Sequence, residues 1–361
     1  MTENRVYNFA PGPSIIAEDV LMRARDEMMN YHSSGMSVME MSHRSKMFAD
    51  IFSSTKENFK KIFGVPDTHE VLFLQGGATT QFAAIPMNLL CGGTADYAVT
   101  GNFSGKAAKE AKKYGTVNIA CDTGSTGHDR IPTQSELSFT PDAKYFYYCA
   151  NNTIYGSEWQ YVPQTDSVLV CDMSSDIMSR KVDVSKFGLI YAGAQKNMAP
   201  AGLTVVIIDR SLAGNAMAIT PEIMDYSIMI KHDSMLNTPP CWCIYMLGLT
   251  LEWLEKQGGV EGMEQLKHAR AEKIYSVLDE SSFYTPHVLP GSRSDMNITF
   301  KTPSEELDAL FVKEAAEKGL ANLKGHRITG GLRASLYNAM PMEGADALAE
   351  FMKEFEVKHN V

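Results

Sequence analysis

From about Ser14 to Gly258, short apolar runs rich in β-branched and aromatic residues alternate with longer runs of helical period. This alternation is typical of an α/β layer in which helices join mainly parallel strands. The predicted strands are Val71–Leu74, Tyr97–Thr100, Lys144–Cys149, Ser167–Cys171, Leu189–Ala192 and Leu203–Ile208. The helical period is clearest in Glu18–Asn30, Ser45–Phe63, Thr80–Leu89, Gly105–Tyr114 and Trp242–Gln257. A chain of 361 residues, 44% of them hydrophobic, is long enough to bury both faces of such a layer.

Gly258-Gly259 interrupts the alternation, and a different order of elements follows. It comprises an amphipathic run at 260–278, a strand at 296–301, a helix at 305–318, a strand at 333–337 and a helix at 344–357. We therefore expect a large domain at 15–258 and a smaller α+β domain formed by 1–14 and 259–361. Pro11-Gly12-Pro13 cannot form regular helix, so we expect Val6–Pro13 to cross the small domain as an extended strap.

The charge and composition narrow the class of function. A net charge of −10 argues against a broad surface for nucleic acid or anionic membranes. The sequence has no basic-then-apolar leader pattern and no apolar run of bilayer length, so we expect a cytoplasmic protein without a membrane span. Six scattered cysteines without a CxxC motif, and nine histidines without a helical metal-binding pair, predict no metal site.

Two groups at predicted strand ends suggest covalent cofactor chemistry. Lys196 follows one apolar strand in a stretch of small residues, and Asp172 follows another strand twenty-four residues earlier. A lysine amine can hold pyridoxal phosphate as a Schiff base, and a carboxylate can keep its pyridinium nitrogen protonated. Taken singly, each residue is more commonly a solvated surface lysine or a helix-capping aspartate.

Other polar groups follow neighbouring strands. Gly76-Gly77-Ala78-Thr79-Thr80 joins a strand to a helix, which suits a phosphate but also an ordinary turn. It matches neither the Walker loop nor the dinucleotide fingerprint, which disfavours a nicotinamide-dependent dehydrogenase. Asn151-Asn152-Thr153 and Gln195 occupy further strand ends, and ligands of open α/β sheets bind at that edge. We therefore expect these segments to converge on one crevice.

Two cationic clusters suit a substrate with an anion at each end. One is His43-Arg44, and the other is His326-Arg327 together with Arg333. A solvated helix face for Arg44 and a plain loop for His326-Arg327 are the alternatives. Arg333 is harder to explain in that way, because it lies in an apolar strand-like run where an unpaired charge is costly.

Together these segments resemble the phosphoserine aminotransferase family of fold-type I pyridoxal-phosphate enzymes. The resemblance runs nearly end to end, and the stretch around Lys196 is its most specific part. It is carried by Asn8–Ser14, Gln75–Ala78, Asp172–Asp176, Tyr191–Asn197 and Gly331–Ala339. It implies a large domain with a mainly parallel sheet and a smaller C-terminal α+β domain.

The resemblance also implies roles for individual residues. Lys196 would form the Schiff base, Asp172 would hold the pyridinium, and Thr153 would bond the region of the ring oxygen. Ala78, Thr79 and Gln195 would bind the cofactor phosphate, joined by Asn237 and Thr238 of the partner subunit, so a homodimer with shared active sites is expected. Arg333 would take the substrate α-carboxylate, and His43, Arg44, His326 and Arg327 would surround the distal phosphate or γ-carboxylate.

One departure from the family pattern is Phe103, where the family usually places a tryptophan that stacks on the cofactor. Phenylalanine offers a smaller π-face, so we expect weaker cofactor retention with the chemistry preserved.

The implied reaction moves an amino group reversibly between glutamate and 3-phosphohydroxypyruvate, giving 2-oxoglutarate and O-phosphoserine in serine biosynthesis. Lys196, once displaced by the amine of glutamate, would act as general base at Cα. The resemblance also allows the phosphorylated oxo acid of pyridoxine synthesis as a substrate. The alternatives are a fold-type I lyase or desulfurase with the same cofactor, and a non-catalytic protein that binds a phosphorylated metabolite.

Overall fold

The computed structural model describes residues 5–360. Its strands are β1 (Tyr7–Asn8), β2 (His69–Leu74), β3 (Thr94–Val99), β4 (Thr116–Asp122), β5 (Tyr145–Cys149), β6 (Asn151–Asn152), β7 (Ser157–Glu158), β8 (Val168–Asp172), β9 (Leu189–Gly193), β10 (Thr204–Asp209), β11 (Thr285–Pro286), β12 (Asn297–Lys301), β13 (Leu320–Ala321) and β14 (Leu332–Ser335). Its α-helices are α1 (Glu18–Asp26), α2 (Lys46–Phe63), α3 (Gly77–Leu89), α4 (Asn102–Ala111), α5 (Tyr226–Lys231), α6 (Cys241–Lys256), α7 (Gly259–Glu280), α8 (Glu305–Glu317) and α9 (Met342–His359). Single 3-10 turns lie at Tyr31–Ser33, Val38–Glu40, Gly124–Thr126, Gln134–Glu136, Val184–Lys186, Arg210–Leu212, Glu222–Met224 and Pro290–Ser292.

A mainly parallel sheet forms the centre of the fold, as predicted. Within residues 5–360 it has seven strands in the order β2-β10-β9-β8-β5-β3-β4, and β10 alone runs antiparallel to its neighbours. All six predicted strands belong to it. The edge strand β4 was not predicted, because its half-exposed sequence lacks the continuous apolar run of a buried parallel strand.

Both faces of this sheet are buried under helices, which explains why its inner strands are mainly apolar. On one face, α2 packs against α6 and places Phe52 and Phe59 against Phe73 of β2. On the other face, α3 and α4 cover a row that includes Tyr97, Tyr147 and Tyr191. The carboxyl ends of β2, β3, β5, β8 and β9 therefore meet at one edge of the sheet.

A second core lies around the three-stranded antiparallel sheet β11-β12-β14 with α7, α8 and α9. It includes Phe9 and Ile15 from the N-terminal segment. β1 pairs in parallel with β13, so the predicted extended strap is confirmed. We propose that the large domain ends at Gly258, which lies between α6 and α7 and has positive φ, as does Gly259 at the start of α7.

No helix in the described part of the chain combines the length and the apolar character needed to span a membrane.

Candidate active site

Lys196 lies in the turn after β9, as its sequence position predicted. Its Nζ donates a hydrogen bond to Thr153 Oγ1 at 2.6 Å. The N-terminal strap crosses this turn, and the Ser14 amide donates to the Gln195 carbonyl at 3.0 Å. A Cβ at Gly12 would lie 3.1 Å from Lys196 Cγ, and the φ of Gly12 is +130°, so glycine lets the strap pass close to the lysine stem.

Asp172 is the last residue of β8 and is 4% exposed. Its Oδ1 accepts the Ser174 amide at 2.9 Å, and its Oδ2 accepts the Tyr191 hydroxyl at 2.8 Å. Burial, and then the charge of Asp172, hold the pKa of Tyr191 well above its usual range, so this hydroxyl remains a donor. The sequence interpretation missed Tyr191, although it lies directly opposite Asp172 in the β8–β9 register.

Thr153 joins the predicted lysine to the predicted arginine. Its hydroxyl accepts from Lys196, and its carbonyl accepts from Arg333 Nη1 at 3.0 Å. Arg333 is 5% exposed, and its Nε has no hydrogen-bond partner within the described residues. Burial lowers its pKa from the usual value, but a guanidinium stays charged at neutral pH. A buried cation with a spare donor can therefore face an anionic ligand.

The side chains of the two residues before Thr153 are engaged in hydrogen bonds within the protein. Asn151 Nδ2 donates to Asn297 Oδ1 at 2.7 Å and to Ser175 Oγ at 2.9 Å. Asn152 Nδ2 donates to Thr100 Oγ1 at 3.1 Å, and both amides are buried. These side chains brace the loop so that Thr153 can reach Lys196.

The glycine turn after β2 starts α3. Gly76 and Gly77 have φ of 92° and 67°, and a Cβ at Gly76 would lie 2.1 Å from Thr80 Oγ1. Ala78 and Thr79 occupy the first turn of α3, which has no side-chain cap. Their backbone N–H groups are thus available to an anion.

Asn237 and Thr238 lie beside this turn in the same chain. Both residues are exposed, and the Thr238 carbonyl accepts from Gln75 Nε2 at 3.1 Å.

Phe103 lies in the first turn of α4, after the end of β3. Lys196 Nζ is 5.6 Å from the centre of its ring. The start of the helix is fixed by Ser104 Oγ, which accepts the amides of Thr100 and Gly101. The ring is therefore placed next to the reactive amine.

The two cationic clusters have different surroundings. His326 and Arg327 lie in the turn before β14, close enough to Arg333 for its charge to act on His326. Burial, followed by Arg333, Arg327 and Lys106, lowers the pKa of His326. His43 and Arg44 precede α2, and no hydrogen bond, ion pair or ring contact joins them to Lys196 in the part of the chain that the structure describes.

Between residues 5 and 360, no group of three or more histidine, cysteine or carboxylate side chains could hold a metal ion. The chemistry of the site is that of an amine, a buried carboxylate and several cations at one sheet edge.

Comparison with known proteins decides the family. The class-V aminotransferase family model matches residues 6–348. A phosphoserine aminotransferase from Nitrosomonas europaea is 49% identical, with 98% of this chain and 99% of that protein covered. The chain belongs to the phosphoserine aminotransferase family. It is thus a pyridoxal-phosphate-dependent transaminase of class V.

Solved structures of this family share the fold along the whole chain. The phosphoserine aminotransferase from Bacillus circulans subsp. alkalophilus is 43% identical, with a TM-score of 0.96 and 99% of both chains covered. The Trichomonas vaginalis enzyme, described as bound to PLP, is 38% identical with a TM-score of 0.94, covering 97% of this chain and all of that one. The fold-type I assignment is confirmed.

The residues present here fit pyridoxal phosphate. An amine lies beside an aromatic ring, a buried carboxylate ends the neighbouring strand, and an uncapped helix N-terminus opens at the same sheet edge. These groups match an aldehyde, a ring with a basic nitrogen and a phosphate.

Proposed function

We propose that the chain transfers an amino group between glutamate and 3-phosphohydroxypyruvate, forming 2-oxoglutarate and O-phosphoserine. The observation that carries this proposal is the junction at Thr153, which contacts both Lys196 and Arg333. Transamination needs an amine at the substrate Cα and a cation at the adjacent carboxylate. Thr153 fixes those two groups relative to each other.

Pyridoxal phosphate, when bound, supplies an electron sink for the carbanion that forms at Cα. Lys196 would hold it covalently, and Asp172 would face its ring nitrogen with a carboxylate already oriented by Tyr191. The other residues proposed to hold it are Thr153, Phe103, Ala78, Thr79 and Gln195, with Asn237 and Thr238 of the partner subunit.

In the reaction, Lys196 Nζ would move a proton at the substrate Cα. The hydrogen bond to Thr153 Oγ1 keeps this nitrogen in a fixed place, which favours repeated proton transfer at one atom. Arg333 would bind the α-carboxylate through its spare donors, since charge-assisted bonds to a guanidinium are strong.

The far end of the substrate carries a carboxylate in glutamate and a phosphate in phosphoserine. We propose that His326 and Arg327 bind this end, together with His43 and Arg44. His326 has a pKa below its usual value, so it is neutral at pH 7 and can accept a proton when the more highly charged phosphate binds. A mixed cluster thus serves both substrates. The same reasoning extends the proposal to the phosphorylated oxo acid of pyridoxine synthesis.

We further propose a cytoplasmic homodimer with shared sites. Asn237 and Thr238 are exposed beside the glycine turn, and the half-buried His43 and the exposed Arg44 precede α2. A second copy of the chain could bring such residues to a neighbouring crevice.

The proposal is tested by incubating the purified protein with pyridoxal phosphate, glutamate and 3-phosphohydroxypyruvate. We expect 2-oxoglutarate and O-phosphoserine in equal amounts, a borohydride-reducible adduct at Lys196, and loss of both in Lys196→Ala. Elimination products without 2-oxoglutarate would favour a lyase or desulfurase. A protein that binds the phosphorylated acid but forms no adduct would favour the non-catalytic alternative. Steady-state kinetics with the phosphorylated oxo acid of pyridoxine synthesis, run in parallel, measure whether the enzyme also accepts that acid and how its kcat/KM compares.

A further inference from the structure

Lys106 lies on the same face of α4 as Phe103, one turn further along the helix. Its Nζ is 5.6 Å from the centre of the Phe103 ring, and Lys196 Nζ lies at the same distance from that ring. The two amines are thus within twice this distance of each other. Lys106 is therefore a cation at the rim of the active site, on the side that Phe103 borders.

The Lys106 amine is not neutralised by the protein. It is exposed, and within residues 5–360 no hydrogen bond or ion pair engages it. The same helix ends near Lys113, whose Nζ bonds Glu110 at 2.7 Å and shows the usual arrangement of a surface lysine. Lys106 instead points its charge toward a region that already holds cations.

That region is the predicted distal pocket. Burial, then Arg333, Arg327 and Lys106, lower the pKa of His326, so the charge of Lys106 reaches the histidine. Asp172, the carboxylate at the end of β8, is already bonded to Tyr191 and Ser174. Several unpaired cations facing one another are unfavourable without a ligand, and an anion of high charge would relieve their repulsion.

We infer that Lys106 is a substrate-binding residue that favours the dianionic phosphate of O-phosphoserine over the γ-carboxylate of glutamate at the distal pocket. This inference rests on the proposed function, and it adds a residue from α4 to a pocket otherwise built from the turn before β14 and the start of α2. The Phe103 ring, whose centre lies 5.6 Å from the amine, would direct it toward the substrate.

The discrimination follows from charge. The phosphate carries close to two negative charges above its second ionisation near pH 6, whereas the γ-carboxylate carries one. Because Coulomb energy is proportional to charge, removal of the amine should cost the phosphate about twice the binding energy that it costs the γ-carboxylate. KM depends exponentially on binding energy, so the factor by which KM rises for O-phosphoserine should be roughly the square of the factor for glutamate. For an exposed, solvent-screened amine we expect about a twofold rise for glutamate and about a fourfold rise for O-phosphoserine.

The test compares Lys106→Met with Lys109→Met, both in the complete enzyme with cofactor. Methionine keeps an unbranched apolar stem against Phe103, and Lys109 is an exposed lysine of the same helix without an ion pair in the described residues. We expect Lys106→Met to raise KM more for O-phosphoserine than for glutamate, with kcat within about twofold. The difference between the KM changes for the two substrates should shrink in high salt, which screens charges, and below pH 6, where the phosphate loses its second charge. Lys109→Met should have the KM values of wild type for both substrates. Lys106→Arg should keep the wild-type ratio of the KM for O-phosphoserine to the KM for glutamate.

A merely structural role for Lys106 would change both KM values equally and lower the melting temperature, and that result would overturn the inference. Values equal to those of wild type would also overturn it. In both cases a wild-type enzyme that forms 2-oxoglutarate and O-phosphoserine leaves the proposed function intact. A wild-type enzyme that forms neither product would overturn the function itself.

Discussion

Replacing Tyr191 with phenylalanine would remove one of the two hydrogen bonds that hold the Asp172 carboxylate. The hydroxyl donates to Asp172 Oδ2 at 2.8 Å and is itself 2.8 Å from the Tyr147 hydroxyl. A hydrogen bond to an ionised group contributes about 1.5–3 kcal/mol, and about 1.4 kcal/mol corresponds to a tenfold change. Without it, the carboxylate can rotate, so it would orient a ring nitrogen less well. We expect kcat/KM to fall at least about tenfold for both amino donors.

Tyr97→Phe is the matched control. Tyr97 is also buried in the central sheet, and its hydroxyl lies 2.6 Å from that of Tyr145. Each substitution removes one hydroxyl from a buried pair of tyrosines, so both should lower thermal stability, and Tyr191→Phe should lower it more because it also removes the bond to Asp172. Of these two tyrosines, Tyr191 is the one whose hydroxyl bonds Asp172. The assays are steady-state kinetics with both substrates, equilibrium binding of pyridoxal phosphate and thermal unfolding of the protein without cofactor.

Two results would refute this reasoning. One is a Tyr191→Phe enzyme whose kcat/KM lies within about twofold of wild type, since the lost bond is worth more than that. The other is an equal loss of activity in Tyr97→Phe, which would assign the effect to packing in the sheet. A double-mutant cycle with Asp172→Asn isolates the coupling, and the Tyr191 substitution should have little further effect once the charge at 172 is gone.

Three other outcomes are expected. Arg333→Ala should raise KM at least about tenfold for both glutamate and O-phosphoserine, because both carry the α-carboxylate; steady-state kinetics showing an effect on one substrate alone would move Arg333 to the distal pocket. Inactive Lys196→Ala chains can be mixed with inactive chains altered at both Asn237 and Thr238. If Asn237 and Thr238 act across the dimer, about half of the dimers are mixed and each has one intact site, so about a quarter of the wild-type activity should return. If they act within one chain, no activity should return. Burial raises the pKa of Glu70, but hydrogen bonds from Lys56, Arg210 and Lys60 outweigh this effect and lower it to about 2. Glu70→Gln should therefore lower the unfolding free energy at pH 7 by about 1–2 kcal/mol, after allowance for solvent screening. Denaturant titrations should show that this difference between variant and wild type vanishes as the pH falls from about 4.5 to 2.

The order of helices and strands was predictable because burial imposes a period on the sequence. The strands inside the sheet are mainly apolar. The buried residues of α2 include Phe52 and Phe59, which contact Phe73 of β2. The edge strand β4 escaped prediction because solvent on one side allows polar residues such as Asn118. The division into domains at Gly258 stays a prediction.

The candidate site was predictable to the extent that it depends on strand ends. Asp172 ends a strand and Thr153 and Lys196 follow strands, and parallel strands bring such residues to one edge. Tyr191 and Lys106 could not be found in this way. The first depends on the register between two strands, and the second depends on how one helix is rotated over the crevice.

A hydrogen-bonded frame without charges joins the segments that carry the site. Asn297 of β12 bonds Asn151 of the sheet edge, and its Nδ2 donates to Ser335, two residues after Arg333. Tyr337, which also bonds Asn297, donates to the carbonyl of Pro11 in the strap at 2.7 Å.

The strap, the large sheet and the strand of Arg333 thus meet through amide, hydroxyl and carbonyl groups, which are uncharged at neutral pH. The frame should hold Thr153 between Lys196 and Arg333 equally well from pH 6 to 8. Changes in substrate binding over that range are then left to the groups proposed for the distal end and to the phosphate of the substrate. If instead the frame loosened with pH, the KM for glutamate and for O-phosphoserine would change in parallel, whereas titration at the distal end affects the phosphate substrate more strongly.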